Sequence, residues 1–440
     1  MWNGLCVKIR GTKLLGISIV SCLSFAVFLS CMTCRESVQA QTRFSVGIGV
    51  HLADSLRIQS SQLPLIGQTG ANSLRDDLYW SRVEGPKGQL AVPPSVEHLV
   101  DQAINANLQP LLILDYGNSF YDGGDKPTTS EALDAFARYA AFVVRHFKGR
   151  VHMYEMWNEW NVNTGSTSPG TPQDYVRFLK VVYPAVKTID PSSVFLAGAI
   201  AGLNLDWLSA MLSDGGLGSF DALSIHPYLF NESRRTADAW AQDMLATETA
   251  IHRHTGGHDI PLYITEMGWP TNNGPGGSSP RDAAVDLAQM FLLARTMPFL
   301  KGIWWYDFRD DGWDQTNPED NFGLVDPNLK PKPAFAALQA VAPLAKDASS
   351  VEELSAGGPS LHALRFRFLG DNQVLALWSK SQTGVIRIRV RGSSPLQIRS
   401  VESDDPNVYP MGTGAKEQTI EISNIPVLVT GTNLSLQGSD

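Results

Sequence analysis

Three consecutive runs, Gln109–Asp115 (QPLLILD), Glu131–Phe147 (EALDAFARYAAFVVRHF) and His152–Trp157 (HMYEMW), decide the fold. The first is an unbroken apolar run of strand length, the mark of a strand buried on both faces. The second repeats apolar residues at helical spacing, with Leu133, Phe136, Ala140, Val143, Val144 and Phe147 on one face. Thr128 and Glu131 have the spacing of a capping box at its start. The third is again short and strand-like. Strand, helix, strand in this order is the unit of a parallel sheet covered by helices.

Outward from this unit the pattern repeats. Strands are expected at Phe44–Val50, Ser73–Leu78, Val194–Ala199, Ala222–His226, Leu262–Glu266 and Gly302–Asp307, eight with the two above. Helices are expected from Ser95 to Ala106, Pro172 to Ile189, Thr236 to His252, Arg281 to Met297 and Ala334 to Ala342. Eight strand–helix units make a (β/α)8 TIM barrel, an α/β fold, over residues 41–345. An open doubly wound sheet is the alternative, but no Gly-rich dinucleotide loop follows the first strand.

Past Lys330-Pro-Lys-Pro333 the character changes. Short runs at Leu361–Phe368, Gln373–Ser379, Val385–Val390, Leu396–Val401, Thr419–Ser423 and Val427–Thr430 are split by Gly, Asn, Asp and Ser, as in an antiparallel β-sandwich over 350–440. Arg365, Arg367, Arg387, Arg389 and Arg391 alternate with apolar residues, giving a solvated basic face; a surface for acidic glycan is the other reading.

The first 40 residues have the order of a secretory signal peptide: basic Lys8, Arg10 and Lys13, an apolar run from Leu14 to Met32, and small residues around Val38-Gln-Ala40. An uncleaved N-terminal membrane anchor, or lipidation at Cys22 or Cys31, is the alternative. All four cysteines (Cys6, Cys22, Cys31, Cys34) lie here, so cleavage would leave a body without disulfides or thiolate chemistry. Because this leader is basic, the body is more acidic than the net −9 of the whole chain. That disfavours nucleic acid and anionic membrane as partners. A secreted or periplasmic monomer is expected.

In a barrel, side chains at the carboxyl ends of strands converge on one mouth. Seven of the expected ends carry polar or aromatic groups suited to a sugar: His51; Arg75 and Trp80; Asp115 and Tyr116; Asn158 and Glu159; His226 and Tyr228; Glu266 and Trp269; Trp304, Trp305 and Asp307. The fifth, ending in Gly198-Ala199, offers little. Two carboxylates flanking a glycosidic bond are what its hydrolysis needs. Glu159, between Trp157 and Trp160, suits the general acid, whose proton desolvation would hold; Glu266 suits the nucleophile. Arg75, Trp80, Tyr116, Asn158, His226, Tyr228, Trp269 and Trp305 are the expected sugar-binding residues. His252, His254 and His258 form a polar loop with no fixed convergence. The acidic run Asp310, Asp311, Asp314, Glu319 and Asp320 suits sugar hydroxyls or water better than calcium.

Trp157-Asn-Glu159 resembles the fourth-strand acid/base motif of clan A glycoside hydrolases, and Thr265-Glu-Met-Gly-Trp269 their seventh-strand nucleophile motif. The stretches Arg75–Glu84, Leu114–Asn118, His226-Pro-Tyr228 and Trp305–Gly312 look like glycoside hydrolase family 39 and its bacterial exopolysaccharide-associated relatives. Trp160 departs from the proline common there. The resemblance implies a retaining β-glycosidase acting by double displacement on a polysaccharide or oligosaccharide, with no metal and no cofactor. Trp80, Tyr116, Trp160, Trp269 and Trp305, near different strand ends, suggest a cleft cutting within an extracellular polysaccharide. An exo-acting β-xylosidase-like or iduronidase-like enzyme, and a non-catalytic glycan-binding barrel, are the rivals.

Overall fold

The structure, a computed structural model, describes residues 43–53, 56–356, 358–402 and 415–437. The leader and its cysteines lie outside them. From Ser45 onward strands and helices alternate: β1 (Ser45–Gly49), α1 (Leu56–Gln68), β2 (Ser73–Tyr79), α2 (Pro94–Asn105), β3 (Gln109–Asp115), α3 (Ser130–Phe147), β4 (Met153–Met156), α4 (Pro172–Ile189), β5 (Val194–Ala201), α5 (Leu205–Met211), β6 (Ala222–His226), α6 (Ala237–Thr255), β7 (Leu262–Met267), α7 (Pro280–Ala294), β8 (Leu300–Trp305) and α8 (Pro333–Asp347). The eight strands are parallel, and pairing of β1 with β8 (Val46 opposite Ile303) closes the barrel.

The barrel interior is packed rather than hollow. Leu111, Leu196, Ala222, Tyr263 and Trp304 fill it. Trp304 fits only because β1 supplies Gly47 opposite: a Cβ there would come 2.1 Å from the indole Cδ1. Outside the strands, α3 and α4 bury Phe136, Tyr139, Tyr175 and Phe178 against the sheet.

Two local expectations are corrected. The α3 N-cap is Thr129, not Thr128: its hydroxyl accepts from Ala132 N, while Asp122 holds the Thr128 amide at 2.7 Å. Glu131 closes no box and pairs with Lys87 at 2.9 Å instead. The helix α1 shows no clear helical periodicity in sequence because it is rich in Gln and Ser and carries Pro64 inside.

The remainder forms two antiparallel sheets from β9 (Ser350–Glu353), β10 (Leu361–Arg367), β11 (Asn372–Ser379), β12 (Ile386–Arg391), β13 (Gln397–Ser400), β14 (Glu417–Ile422), β15 (Val427–Thr432) and β16 (Ser435–Gln437). One sheet runs β13-β15-β11-β10-β9 and the other β14-β12-β16. Leu375, Leu377, Ile388, Val390, Ile420 and Val429 fill the space between them. Period-two alternation sends Leu364, Phe366, Ala376, Trp378 and Leu428 the other way, into the core shared with the barrel. Hydrogen bonds from Gln289 to Asn424 O (2.6 Å) and Arg399 to Ala340 O (3.0 Å) join the same surfaces. The arginine stripe is solvated and matched by acids: Arg387 by Glu421, Arg389 and Arg391 by Glu417, Arg365 and Arg367 by Glu352. Three glutamates thus serve the five arginines of the stripe.

Candidate active site

Past the last residue of β4 the backbone leaves the extended conformation: Trp157 has φ 72° and Glu159 φ 53°. Non-glycine residues seldom hold such values unless the surroundings impose them. Here the Glu159 amide donates to Ala199 O at 2.8 Å, on a bulged stretch of β5 where Gly198 (φ 108°) and Ala199 (φ 41°) are also left-handed. Gly198 has to be glycine, since a Cβ there would lie 2.5 Å from Ser224 O. Thus the fifth strand, whose side chains offer little, positions the Glu159 backbone. The bend buries Trp157 and Trp160 among Phe136, Tyr175 and Phe178 and turns Asn158 and Glu159 into the mouth.

The mouth holds a cavity of about 460 Å³ lined by Arg75, Tyr116, Asn158, Glu159, Tyr228 and Glu266 from the expected set. His51, Asp77, Tyr79, Thr164, Phe230, Tyr306, Glu319 and Phe322 complete much of the wall. Arg75 is the hub. Its Nε donates to Glu155 (2.7 Å), Nη1 to Glu266 (2.7 Å) and Nη2 to Asn158 (2.9 Å). Burial works against the guanidinium charge, but the carboxylates of Glu155 and Glu266 outweigh it and raise its pKa. Asn158 in turn donates to the Tyr116 hydroxyl at 2.8 Å. The other Glu266 oxygen accepts from the Tyr228 hydroxyl at 2.9 Å. Burial and the nearby Glu266 push that phenol well above its ordinary value, so it remains a donor.

Glu159 accepts from Thr164 at 2.8 Å and faces His226 Nδ1 at 3.1 Å; His226 Nε2 meets Thr265 Oγ1 at 3.0 Å. Burial pushes Glu159 up, as expected for a general acid. The hydrogen bond and charge of His226, with Thr164 and Arg75, overcome it and hold the carboxyl below its usual range. His226 moves the opposite way: burial lowers it, yet Glu266 and Glu159 together raise it. The two groups therefore shift in opposite directions, each held by the other's charge across the 3.1 Å contact. One oxygen of Glu159 lies within 4.8 Å of one of Glu266. Inverting pairs stand about 6.5–9.5 Å apart and retaining pairs about 5–5.5 Å.

Three expected sugar-binding tryptophans are not in the wall. Trp80 is fully buried, stacked on Tyr121 at 5.0 Å, with Nε1 bonded to Glu84. Trp269 and Trp305 are equally buried, packed on each other at 6.1 Å and bonded to Arg235 O and Phe322 O. Their chain neighbours face the cavity instead: Tyr79 precedes Trp80, and Tyr306 follows Trp305. The alternation that puts Trp304 inside the barrel is the sequence signal that points to Tyr306. Thr164 and Phe322 carry no such signal, whereas Glu319 belongs to the acidic run expected to meet sugar hydroxyls and does line the cavity.

A closed eight-stranded barrel with paired glutamates at the ends of β4 and β7 defines a retaining clan A glycosidase, an enzyme acting on glycosidic bonds. Residues 44–305 match the cellulase (glycosyl hydrolase family 5) model, and the chain belongs to that family. It is also similar to family 39 enzymes. A family 39 glycoside hydrolase from the gut symbiont Bacteroides cellulosilyticus WH2 superposes with TM-score 0.73 at 25% identity, covering 89% of this chain and 82% of that one. A monomeric beta-xylosidase from Caulobacter crescentus CB15 shares the fold (TM-score 0.63, 16% identity, 90% and 96% covered). A beta-xylosidase from Geobacillus stearothermophilus is 23% identical over 347 residues, 69% of this chain and 68% of its own length.

Proposed function

We propose that this protein removes single neutral β-linked sugars, xylose first among them, from the ends of oligosaccharides or polysaccharides. Glu266, held by Arg75 and Tyr228, attacks the anomeric carbon as the bond to the leaving oxygen breaks, and Glu159 supplies that oxygen's proton. Water then attacks the glycosyl ester and gives a proton to Glu159, freeing Glu266 with configuration retained. His226, in contact with Glu159, holds the proton between turnovers.

One observation carries the exo reading. The four tryptophans expected to form a two-sided cleft, Trp80, Trp160, Trp269 and Trp305, are all buried and none lines the cavity. The aromatics that do line the cavity, Tyr79, Tyr116, Tyr228, Phe230, Tyr306 and Phe322, close in directly on the catalytic pair. The activities of two relatives, both beta-xylosidases, agree. A uronic acid fits poorly. Asp76, Asp77, Glu159, Glu266 and Glu319 line the cavity, and its one arginine is already taken by Glu155, Glu266 and Asn158. Against the exo reading stands Trp313, 63% exposed on the loop after β8, a surface on which a longer chain could stack.

Incubation with a xylo-oligosaccharide ladder and an insoluble polymer decides. Exo action releases monosaccharide from the start while chain length falls slowly. A rapid fall in chain length with little monosaccharide, lost in Trp313→Ala, returns the cut to the chain interior. Among the described residues no helix is long and apolar enough to cross a membrane. With the basic and apolar leader at residues 1–40, we place the enzyme outside the cytoplasm as a monomer. N-terminal sequencing of the mature protein and light scattering test both points.

A further inference from the structure

We propose that His51, Asp307 and Asp311 form a binding site for one divalent cation of the zinc or manganese kind at the rim of the cavity. One donor atom from each lies within 4.8 Å of the others. Metal–ligand bonds of about 2.1 Å set two ligands up to about 4.2 Å apart, so a small inward movement closes the shell. Two of the three side chains can make it, because His51 and Asp311 are exposed.

The second observation is Asp307. It is 3% exposed, and its Oδ1 has no hydrogen-bond partner. A buried carboxylate oxygen without a donor is costly and rare. The neighbouring cations are engaged elsewhere. Lys332 Nζ bonds both oxygens of Asp310 and Asn321 O, and Arg309 Nε bonds Pro327 O. The His51 ring is loosely held, 3.5 Å from the Tyr306 hydroxyl and 4.0 Å from Asp77. One imidazole with two carboxylates suits zinc or manganese; calcium asks for six or more oxygens. Asp77 and Glu319 on the same wall add negative potential that draws a cation in. By contrast, the comparable trio Glu248, His252 and Asp259 has no unpartnered buried atom, and His252 is already bonded to Asp259 at 2.7 Å.

A cation here ties the chain after β1 to the loop after β8, the loop that brings Glu319 and Phe322 to the cavity. Three protein ligands leave positions open toward the mouth for water or a sugar hydroxyl. The test is calorimetric titration of the untagged full chain, stripped with a chelator, with Zn²⁺ and Mn²⁺, and with Mg²⁺ and Ca²⁺ as controls. One equivalent of Zn²⁺ or Mn²⁺ is expected, weakened at least about tenfold in Asp311→Asn and in His51→Gln and unchanged in His252→Gln. Both diagnostic side chains are exposed, so the variants should fold, which circular dichroism checks. No binding to the parent protein, tighter binding of Ca²⁺ or Mg²⁺, or binding that survives both variants or is lost in His252→Gln overturns the assignment. The readout is heat of binding, so it stands or falls independently of the sugar the enzyme cleaves.

Discussion

Arginine meets glutamate in two regions of this molecule, with opposite consequences. At the barrel mouth Arg75 is 4% exposed and divides three bonds among Glu155, Glu266 and Asn158. On the outer sheet of the sandwich, Arg387 and Glu421 make a similar contact at 2.8 Å with side chains 72% and 59% exposed. Water screens the second pair, which adds little when it forms. The first pair has given up its water, so its energy lies in staying complete and its value in fixing where Glu266 points. Ion pairing is the same chemistry in both places; burial decides whether it fixes the direction of a cavity carboxylate or decorates a surface.

The largest effects should come from the carboxylates the buried network serves. Glu266→Ala is expected to abolish turnover of every glycoside. Glu159→Ala should lose about 10²- to 10⁴-fold on substrates whose leaving group needs a proton, and far less in the first step on a dinitrophenyl glycoside. Equal, total loss for both variants on both substrates would reverse or void the two roles.

Next comes the hub itself. Arg75→Leu strands Glu155, which is fully buried and whose Oε1 already lacks a partner. A loss of about 3–5 kcal/mol in denaturant unfolding is expected. A loss below about 1 kcal/mol would mean that the network is no more tightly held than the sandwich pairs.

The shared proton gives a smaller, pH-dependent signature. His226 is raised above 6.5, so the pair keeps its proton below that value and loses it as pH rises through the raised one. Turnover of glycosides with poor leaving groups should therefore fall on the basic side, above pH 6.5, and the dinitrophenyl substrate should not follow. The stability that His226 contributes has the same sign, full below pH 6.5 and lost above it. Glu159 is lowered, so its contribution is present above 4.5 and lost as pH falls through its lower value. His226→Gln should flatten the basic limb; an unchanged limb would place the proton elsewhere. Smallest of all, Arg387→Ala should cost under about 1 kcal/mol and less still in high salt.

Much of this is legible in the amino-acid sequence. Strands buried on both faces read as continuous apolar runs, so β3 and β6 fall where expected, and the amphipathic α3 and α4 begin within a residue of their predicted starts. The pair Glu159 and Glu266 stands out because each ends such a run. Phase is what misleads. Trp80 and Trp305, expected to bind sugar, each lie one residue from the aromatic that lines the cavity, Tyr79 and Tyr306. Beyond a strand's last regular residue, or at a bulge within it, the two-residue alternation no longer holds, as the left-handed Trp157 and Glu159 after β4 and Ala199 within β5 show.

Local patterning, then, is enough to establish the barrel, the trailing sandwich and the two carboxylates, because burial and periodicity are written into neighbouring residues. Only the tertiary structure decided what surrounds them. Arg75 and Glu266 are 191 positions apart, and the contact that shifts Glu159 and His226 in opposite directions joins residues 67 positions apart. An electrostatic balance among buried groups depends on distances of a few ångströms between segments, and no local pattern encodes those distances.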